Sequence, residues 1–476
     1  MRKNIFVFIV VLAFVKNYAQ SDKAVYSIMN TNAENIAEKT GAYSVSVGIV
    51  KDGKIYTTHF GEIDKGKGNK ANDNTYFEIA SVTKLFTGQL LAKAVLEGKM
   101  NLDDDIRKYL KKDYPNLEYN GTPIKVRNLL SYTTALPRGL PDEEDLRAKM
   151  NERTPFLMKE REAGYTKDQF YKDLEKVKLD TVPGIKYNYS NLSLELAGMM
   201  LENIYGKDVE TLFNQNIFSK LGMKHTKFTL NKNETLANGY GENHLLMPHF
   251  ASNLWGSTGI KTKSTLSDLM KFLKDELYSK NSVVRETHKN IEGSKENWRG
   301  YLWDDYYVSE FGKVGFKHGG AFGTQTWFTI YPELNIGICV IVNVSVPGGG
   351  FILQDCVSKM MEDFTSPSAN KKETYGYTIR GNNVVFAYDH PKTADSGLIN
   401  TISVAGSFND WNPNNKDYQM TNKGNNHYEL EIPVSKFEKD KTYSFKFVLN
   451  NIGWMITPKR ASNIDGTEDN NLVLTL

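Results

Sequence analysis

The chain has 476 residues, with 59 Lys and Arg against 56 Asp and Glu, a net charge of +3, 40% hydrophobic residues and two cysteines. That length exceeds one ordinary domain, and the interleaving of basic and acidic residues describes a solvated surface rather than a nucleic-acid footprint. Eight histidines are scattered with no HExxH, CxxC or carboxylate cluster at ligand spacing, so the sequence shows no metal, nucleotide or other cofactor site.

In chain order, Met1-Arg2-Lys3-Asn4 is a basic start, Ile5 to Val15 an apolar run and Tyr18-Ala19-Gln20 a cleavage region. Residues 1–20 therefore read as a secretory signal peptide, too short for a membrane span, with export to the periplasm or beyond. No cysteine follows at which a lipid anchor could form, and no later stretch is apolar enough to cross a bilayer.

The next feature is Ser81-Val82-Thr83-Lys84. Leu85, Phe86, Leu90, Leu91, Ala94 and Val95 fall on one stripe at helical period, and Gly98 supplies a stop. Residues three apart on a helix are neighbours, so the Ser81 hydroxyl and the Lys84 amine share one space. Backbone N–H groups at the helix start favour an oxyanion, and an apolar setting depresses a lysine pKa until it can serve as a base. Ser368-Ala369-Asn370-Lys371 has the same spacing but lacks the helical pattern. A charged, helix-forming insertion follows over 142–178 and is expected to form a lid beside the site; its aromatics Phe156, Tyr165, Phe170 and Tyr171 either line an acyl-side pocket or, as is preferred, pack the insertion onto its host. Next comes Tyr189-Ser190-Asn191, between the Pro183-Gly184 turn and an apolar helix from Leu192 to Leu201. Lys317-His318-Gly319-Gly320-Ala321 leads into the strand Thr326 to Ile330. Cys339 lies in an apolar strand run and reads as a buried small hydrophobe in preference to half of a bridge, and the sequence leaves open whether it is bonded to Cys356.

Three segments together resemble the serine β-lactamase/penicillin-binding protein superfamily, in particular its class C β-lactamase-like serine hydrolases, over about residues 40–360. They are Phe77 to Thr87 with Leu96 to Asp104, Val126 to Pro137, and Ile217 to Met223. In the second of these, Tyr132, Thr134 and Ala135 stand where His, Ser and Gly are usual. The resemblance implies that Ser81 is the nucleophile, Lys84 and Tyr189 a coupled acid/base pair, and Asn191 a residue that orients the substrate amide and Lys84. A nearby ammonium would stabilise the Tyr189 phenolate. It further implies that His318-Gly319-Gly320 takes the place of the usual Lys-Thr-Gly, in the His-x-Gly form of esterase and D-aminopeptidase members. The oxyanion hole would then be the N–H groups of Ser81 and Ala321. Loss of the usual lysine and threonine favours esters or amides without an adjoining carboxylate.

After the polar hinge 366–372, Val384, Phe386 and Tyr388 alternate, as do Tyr428, Leu430 and Ile432, and Tyr443, Phe445, Phe447 and Leu449. Residues 373–476 thus read as an immunoglobulin-like β-sandwich. Ile402 to Trp411, Tyr443 to Val448 and Gly453-Trp454 resemble the glycogen-binding module of the AMP-activated kinase β subunit. That resemblance implies that Trp411 and Trp454 stack on sugar rings of an α-glucan while Lys446 and Asn470 bond hydroxyls.

The combined expectation is an exported serine hydrolase over 21–365, an antiparallel sheet flanked by helices with a helical lobe, followed by the sandwich. It would cleave an ester or amide of a small molecule or peptide through an acyl-enzyme on Ser81. A D-amino-acid peptidase, carboxypeptidase or β-lactamase is the alternative within enzymes. A carbohydrate-binding or regulatory protein with an inactive hydrolase fold is the alternative outside them.

Overall fold

Ser44–Lys51, Gln325–Tyr331 and Ile336–Val342 are almost wholly buried runs of β-branched, aromatic and aliphatic residues, the mark of strands covered on both faces. The structure, a computed structural model, describes residues 3–365 except 253, 255 and 310. Of 374–476 it describes all but 390–400, 425, 426, 450, 452, 456, 458–460 and 468, and of 3–21 and 453 the backbone alone. The expected signal peptide and the hinge over 366–372 therefore lie outside the residues described in full. Among the described residues no helix is long and apolar enough to cross a membrane.

The chain divides into two compact units, the first ending at Phe364. Its centre is an eight-stranded sheet in the order 54–61, 44–51, 336–342, 325–331, 312–320, 305–309, 297–299, 292–293. Alternation sends each central strand's residues to two different cores. Val47, Trp327 and Val340 meet the helices Lys3–Thr40 and Gly349–Thr365 through Met29, Ile36, Leu353 and Met360. Phe328, Cys339 and Ile341 face the other way, onto Thr83–Leu96 and Leu266–Tyr278 through Phe86, Leu269 and Phe272. Cys339 and Cys356 are both free and belong to these opposite faces, which rules out a bond between them. Short helices on the second face form a lobe that includes Asn191–Tyr205 and the 142–178 insertion. Tyr165 and Phe170 are buried in that core and Tyr171 packs against it, so these aromatics fix the insertion to its host.

In the second unit, Tyr377–Arg380, Asn383–Asp389, His427–Pro433 and Thr421–Gly424 form one antiparallel sheet. Thr442–Leu449 is the hub of the other, pairing with Ile402–Gly406 along one edge and with Leu472–Thr475 and Gly453–Trp454 along the other. Val384, Phe386, Val404, Phe445, Phe447 and Leu474 join both sheets in one apolar core. The alternation in the sequence sets which side chains enter it.

Candidate active site

Ala80–Val82 makes one 3-10 turn between the strand Tyr76–Glu78 and the helix Thr83–Leu96. Ala80 has φ 44°, in the left-handed region that costs a non-glycine residue energy, so backbone strain sits immediately before Ser81. Gly259 closes over this turn, where a Cβ would lie 1.9 Å from the Ala80 carbonyl oxygen. The helix is not the one-sided stripe expected from its pattern. Thr83, Lys84, Thr87 and Gln89 are buried along with the apolar positions, because the helix runs between the sheet and the lobe. Two of its polar side chains are matched, Thr87 Oγ1 donating to Ser257 O at 2.7 Å and Gln89 Nε2 to Glu276 Oε1 at 2.8 Å, whereas Thr83 Oγ1 has no partner among the described residues.

Ser81 Oγ is 2.8 Å from Lys84 Nζ and 2.7 Å from Tyr189 OH, so the fold joins these groups across 108 residues of chain. The second partner of Lys84 Nζ is Thr258 O at 2.7 Å, not Asn191. Asn191 opens its helix with its N–H bonded to Arg138 O at 2.7 Å, and its Oδ1 is buried without a hydrogen-bond partner among the described residues. Burial, and then the charge of Lys317, hold Lys84 well below the ordinary lysine pKa. Burial raises Tyr189 well above an ordinary phenol, with Lys317 opposing. Both directions run against the expected ammonium and phenolate, since burial favours the neutral amine of Lys84 and the neutral phenol of Tyr189.

The strand Gly312–Gly320 corrects a second expectation. Gly319 faces Ser81, and a Cβ there would lie 2.3 Å from Ile79 O and 3.2 Å from Val82 Cγ2, so only glycine lets the strand approach the turn. Alternation then places Lys317 on the same side and His318 on the other. Lys317 Nζ is fully buried, 2.9 Å from Tyr132 OH, bonded to Asp304 and 5.5 Å from the Tyr189 ring centre. His318 instead lies beside Trp327 and Gly350, on the face of the terminal helices, and burial lowers its pKa. The usual Lys-Thr-Gly is therefore met by Lys317-His318-Gly319, one residue earlier than expected. The same register reassigns the oxyanion donor. The N–H of Ala321 is bonded to Thr324 O at 2.8 Å across the hairpin, whereas Gly320, one position back, directs its N–H away from the neighbouring strand. His318 N–H points outward in the same sense, to Asp304 Oδ2 at 2.7 Å.

Tyr132, read from the sequence as a small loop departure, is part of this site. It stacks on Tyr189 with ring centres 4.9 Å apart and accepts from Lys317. Although burial works against its charge, Asp304 beside it keeps Lys317 above the ordinary lysine pKa. A buried cation thus faces both Lys84 and Tyr189.

Ser81, Lys84, Tyr189, Asn191, Gly320 and Ala321 line one cavity of about 240 Å³. His318 is not among its lining residues. The insertion closes one wall with Pro155, Met158 and Glu162, spaced to share one face of the helix Thr154–Ala163, and with Glu143 from the loop before it. The sequence sets this insertion beside the site as a lid, but it points to the aromatics and not to this face of the helix. A larger cleft of about 580 Å³ lies apart from Ser81. Its charges are matched, Arg127 with Asp103 at 2.8 Å and Lys108 with Asp104 at 2.9 Å. Among the described residues no His, Cys, Asp and Glu cluster could hold a metal.

In the second unit Trp411 and Trp454 lie with ring centres 6.0 Å apart and planes at 50°, and Trp454 is 45% exposed. Trp454 pairs with Val448, which puts it on the face of Lys446, away from Phe445 and Phe447. Asn470 is exposed, in the left-handed region at φ 45°.

The beta-lactamase family profile matches residues 29–354. The chain belongs to the beta-lactamase family of serine hydrolases. This beta-lactamase-family chain is similar to protein flp of Staphylococcus aureus, 26% identical over 359 residues, which are 72% of this chain and 66% of that protein, so the match spans about two thirds of flp. It is 28% identical over 338 residues to the D-alanyl-D-alanine-carboxypeptidase/endopeptidase AmpH of Escherichia coli, covering 67% of this chain and 84% of AmpH. A beta-lactamase/D-alanine carboxypeptidase from Yersinia pestis, solved with citrate, shares the fold with TM-score 0.57 and 23% identity, over 71% of this chain and 98% of that one.

Proposed function

We propose that the protein hydrolyses an ester or amide through an acyl-enzyme on Ser81. The observation that carries this reading is the placement of Lys84 Nζ and Tyr189 OH on one serine oxygen, at 2.8 and 2.7 Å. Neutral Lys84 takes the Ser81 proton as Oγ bonds to the carbonyl carbon, and the N–H groups of Ser81 and Gly320 hold the oxyanion. As the bond to the leaving group breaks, Tyr189 donates its proton to the departing oxygen or nitrogen, and the Lys84 ammonium returns one to the Tyr189 oxygen, so that both groups end neutral. Water then adds to the acyl carbon, passes a proton through the same pair to Ser81 and releases the acid.

Esters or amides without an adjoining carboxylate fit best, because Lys317 is already tied to Asp304 and Tyr132 inside the protein. A second reading, a D-amino-acid peptidase, carboxypeptidase or β-lactamase, draws on the names of two relatives and on Arg138, which lines the cavity and offers a carboxylate partner. The discriminating experiment measures kcat/KM for p-nitrophenyl esters, D-alanyl-D-alanine peptides and a chromogenic cephalosporin, together with fluorophosphonate labelling of the Ser81 peptide by mass. An ester should lead the series; a cephalosporin or peptide in first place would reverse the preference. The basic start and apolar run of residues 1–20 support export.

Lys317 provides a pH test. Its charge lowers the Lys84 pKa, so removing it raises that pKa and delays formation of the neutral base. In Lys317→Met the acid limb of the kcat/KM profile should move to higher pH, with the remaining Asp304 pulling the same way. A limb that stays in place means that Lys317 does not act on Lys84.

For the second unit we propose α-glucan binding, supported by the paired Trp411 and Trp454 and by Lys446 on the Trp454 face. Full-length protein should be retarded in electrophoresis through glycogen, and Trp411→Ala with Trp454→Ala should remove the retardation while ester hydrolysis persists. Equal mobility with and without glycogen would leave the module without this role.

A further inference from the structure

The mechanism above leaves two carboxylates of the Ser81 cavity unused. Glu143 is 8% exposed and Glu162 7%, and both line the cavity wall built by the insertion. Glu143 Oε1 and Glu162 Oε2 are buried with no hydrogen-bond partner among the described residues. Arg147 satisfies only the other oxygen of Glu143, at 2.7 Å, while Arg161 is held by Asp145 at 2.6 Å. A buried carboxylate oxygen without a partner is costly unless something fills its place. The same wall carries the apolar Met150, Pro155 and Met158, together with Asp142, Glu144 and the Arg147 that is already paired with Glu143.

We infer that Glu143 and Glu162 form a subsite for a primary ammonium on the acyl half of the substrate. We assign it to the acyl side because Asn191, which by resemblance orients the substrate amide, donates its N–H to the carbonyl of Arg138, five residues before Glu143 on the same wall. An ammonium has three donors and no acceptor, which matches two acceptor oxygens that nothing else meets. Burial, and then the charge of Glu143, raise Glu162 to about 8, so the empty pair holds a proton at neutral pH that a bound cation displaces. The inference deepens the Ser81 reading and rests on it.

The test uses the full-length protein and the p-nitrophenyl esters of D-alanine and 6-aminohexanoic acid, against those of propionic and hexanoic acid. Each kcat/KM is divided by the rate of hydrolysis by hydroxide alone, which removes the intrinsic activation that an ammonium gives an ester. At least one ammonium ester should exceed its counterpart by about tenfold or more, the scale of a charge-assisted hydrogen bond in a buried site. Glu162→Gln should bring that ratio towards one, and Glu143→Gln should lower it as a second variant. Two wild-type ratios at or below one overturn the subsite, as does a ratio that both variants leave unchanged. Absence of turnover of all four esters with no labelling of Ser81 overturns the Ser81 reading, and the subsite falls with it. Ester turnover without any ammonium preference removes the subsite alone.

Discussion

Ser81→Ala should lower kcat/KM for any ester the protein cleaves by at least ~10⁴-fold, the order expected when a serine nucleophile is removed from a unit that acts together. Ser81 Oγ is the single atom on which Lys84 and Tyr189 converge, so its removal leaves a base and an acid with nothing to activate. Fold stability should hardly move. The substitution removes one oxygen at the cavity wall, and Lys84 Nζ keeps its bond to Thr258 O. A change in Tm worth about 1 kcal/mol or less is expected, in either direction, because the strained turn at Ala80 is already part of the cost of the site. Fluorophosphonate labelling should vanish with the activity. Labelling that persists in Ser81→Ala places the nucleophile elsewhere.

The parts of this site that were legible in the sequence are those that depend on local spacing. Ser81 and Lys84 lie one helical turn apart, so any helix start at that point brings them together. Tyr189 was legible only through its resemblance to a family segment, because no local rule connects residues 108 positions apart. The strands of the second unit were legible because alternation at Val384, Phe386 and Tyr388, or at Tyr443, Phe445 and Phe447, states which side chains enter a core.

The register of Lys317-His318-Gly319 was not legible. A slip of one residue exchanges the faces of a strand, and the sequence reading aimed His318 at the cleft when the close approach of Gly319 to Ile79 O fixes the opposite parity. A contact made by backbone to backbone leaves no side-chain pattern to read. The helix Thr83–Leu96 misled for a related reason. Its apolar stripe is real, but its polar residues are also buried, and Lys84, Thr87 and Gln89 are bonded to neighbouring segments that no periodicity predicts. Glu143 and Glu162 were hidden for want of a motif, since charged residues in a helix-forming insertion ordinarily face solvent.

Lys84→Met and Tyr189→Phe should each reduce kcat by at least ~10²-fold, the usual scale for losing general acid–base help. Methionine keeps the volume of a fully buried side chain, and phenylalanine keeps the stacking of Tyr189 on Tyr132 at 4.9 Å, so the losses report proton handling rather than packing. The double variant should lose little more than the worse single variant, because each group depends on the other to move one proton from Ser81 to the leaving group. The pH profiles should separate their roles. Lys84 must be neutral to take the serine proton, and its depressed pKa sets the acid limb of kcat/KM, which should be absent in Lys84→Met and retained in Tyr189→Phe. Tyr189 must stay protonated to serve the leaving group, and burial holds it so across the working range. Its loss should therefore weigh most on poor leaving groups, such as alkyl esters and amides, and least on p-nitrophenolate, which departs without a proton. Equal losses for p-nitrophenyl and alkyl esters in Tyr189→Phe would take the donor role from Tyr189 and leave it as an orienting partner of Ser81.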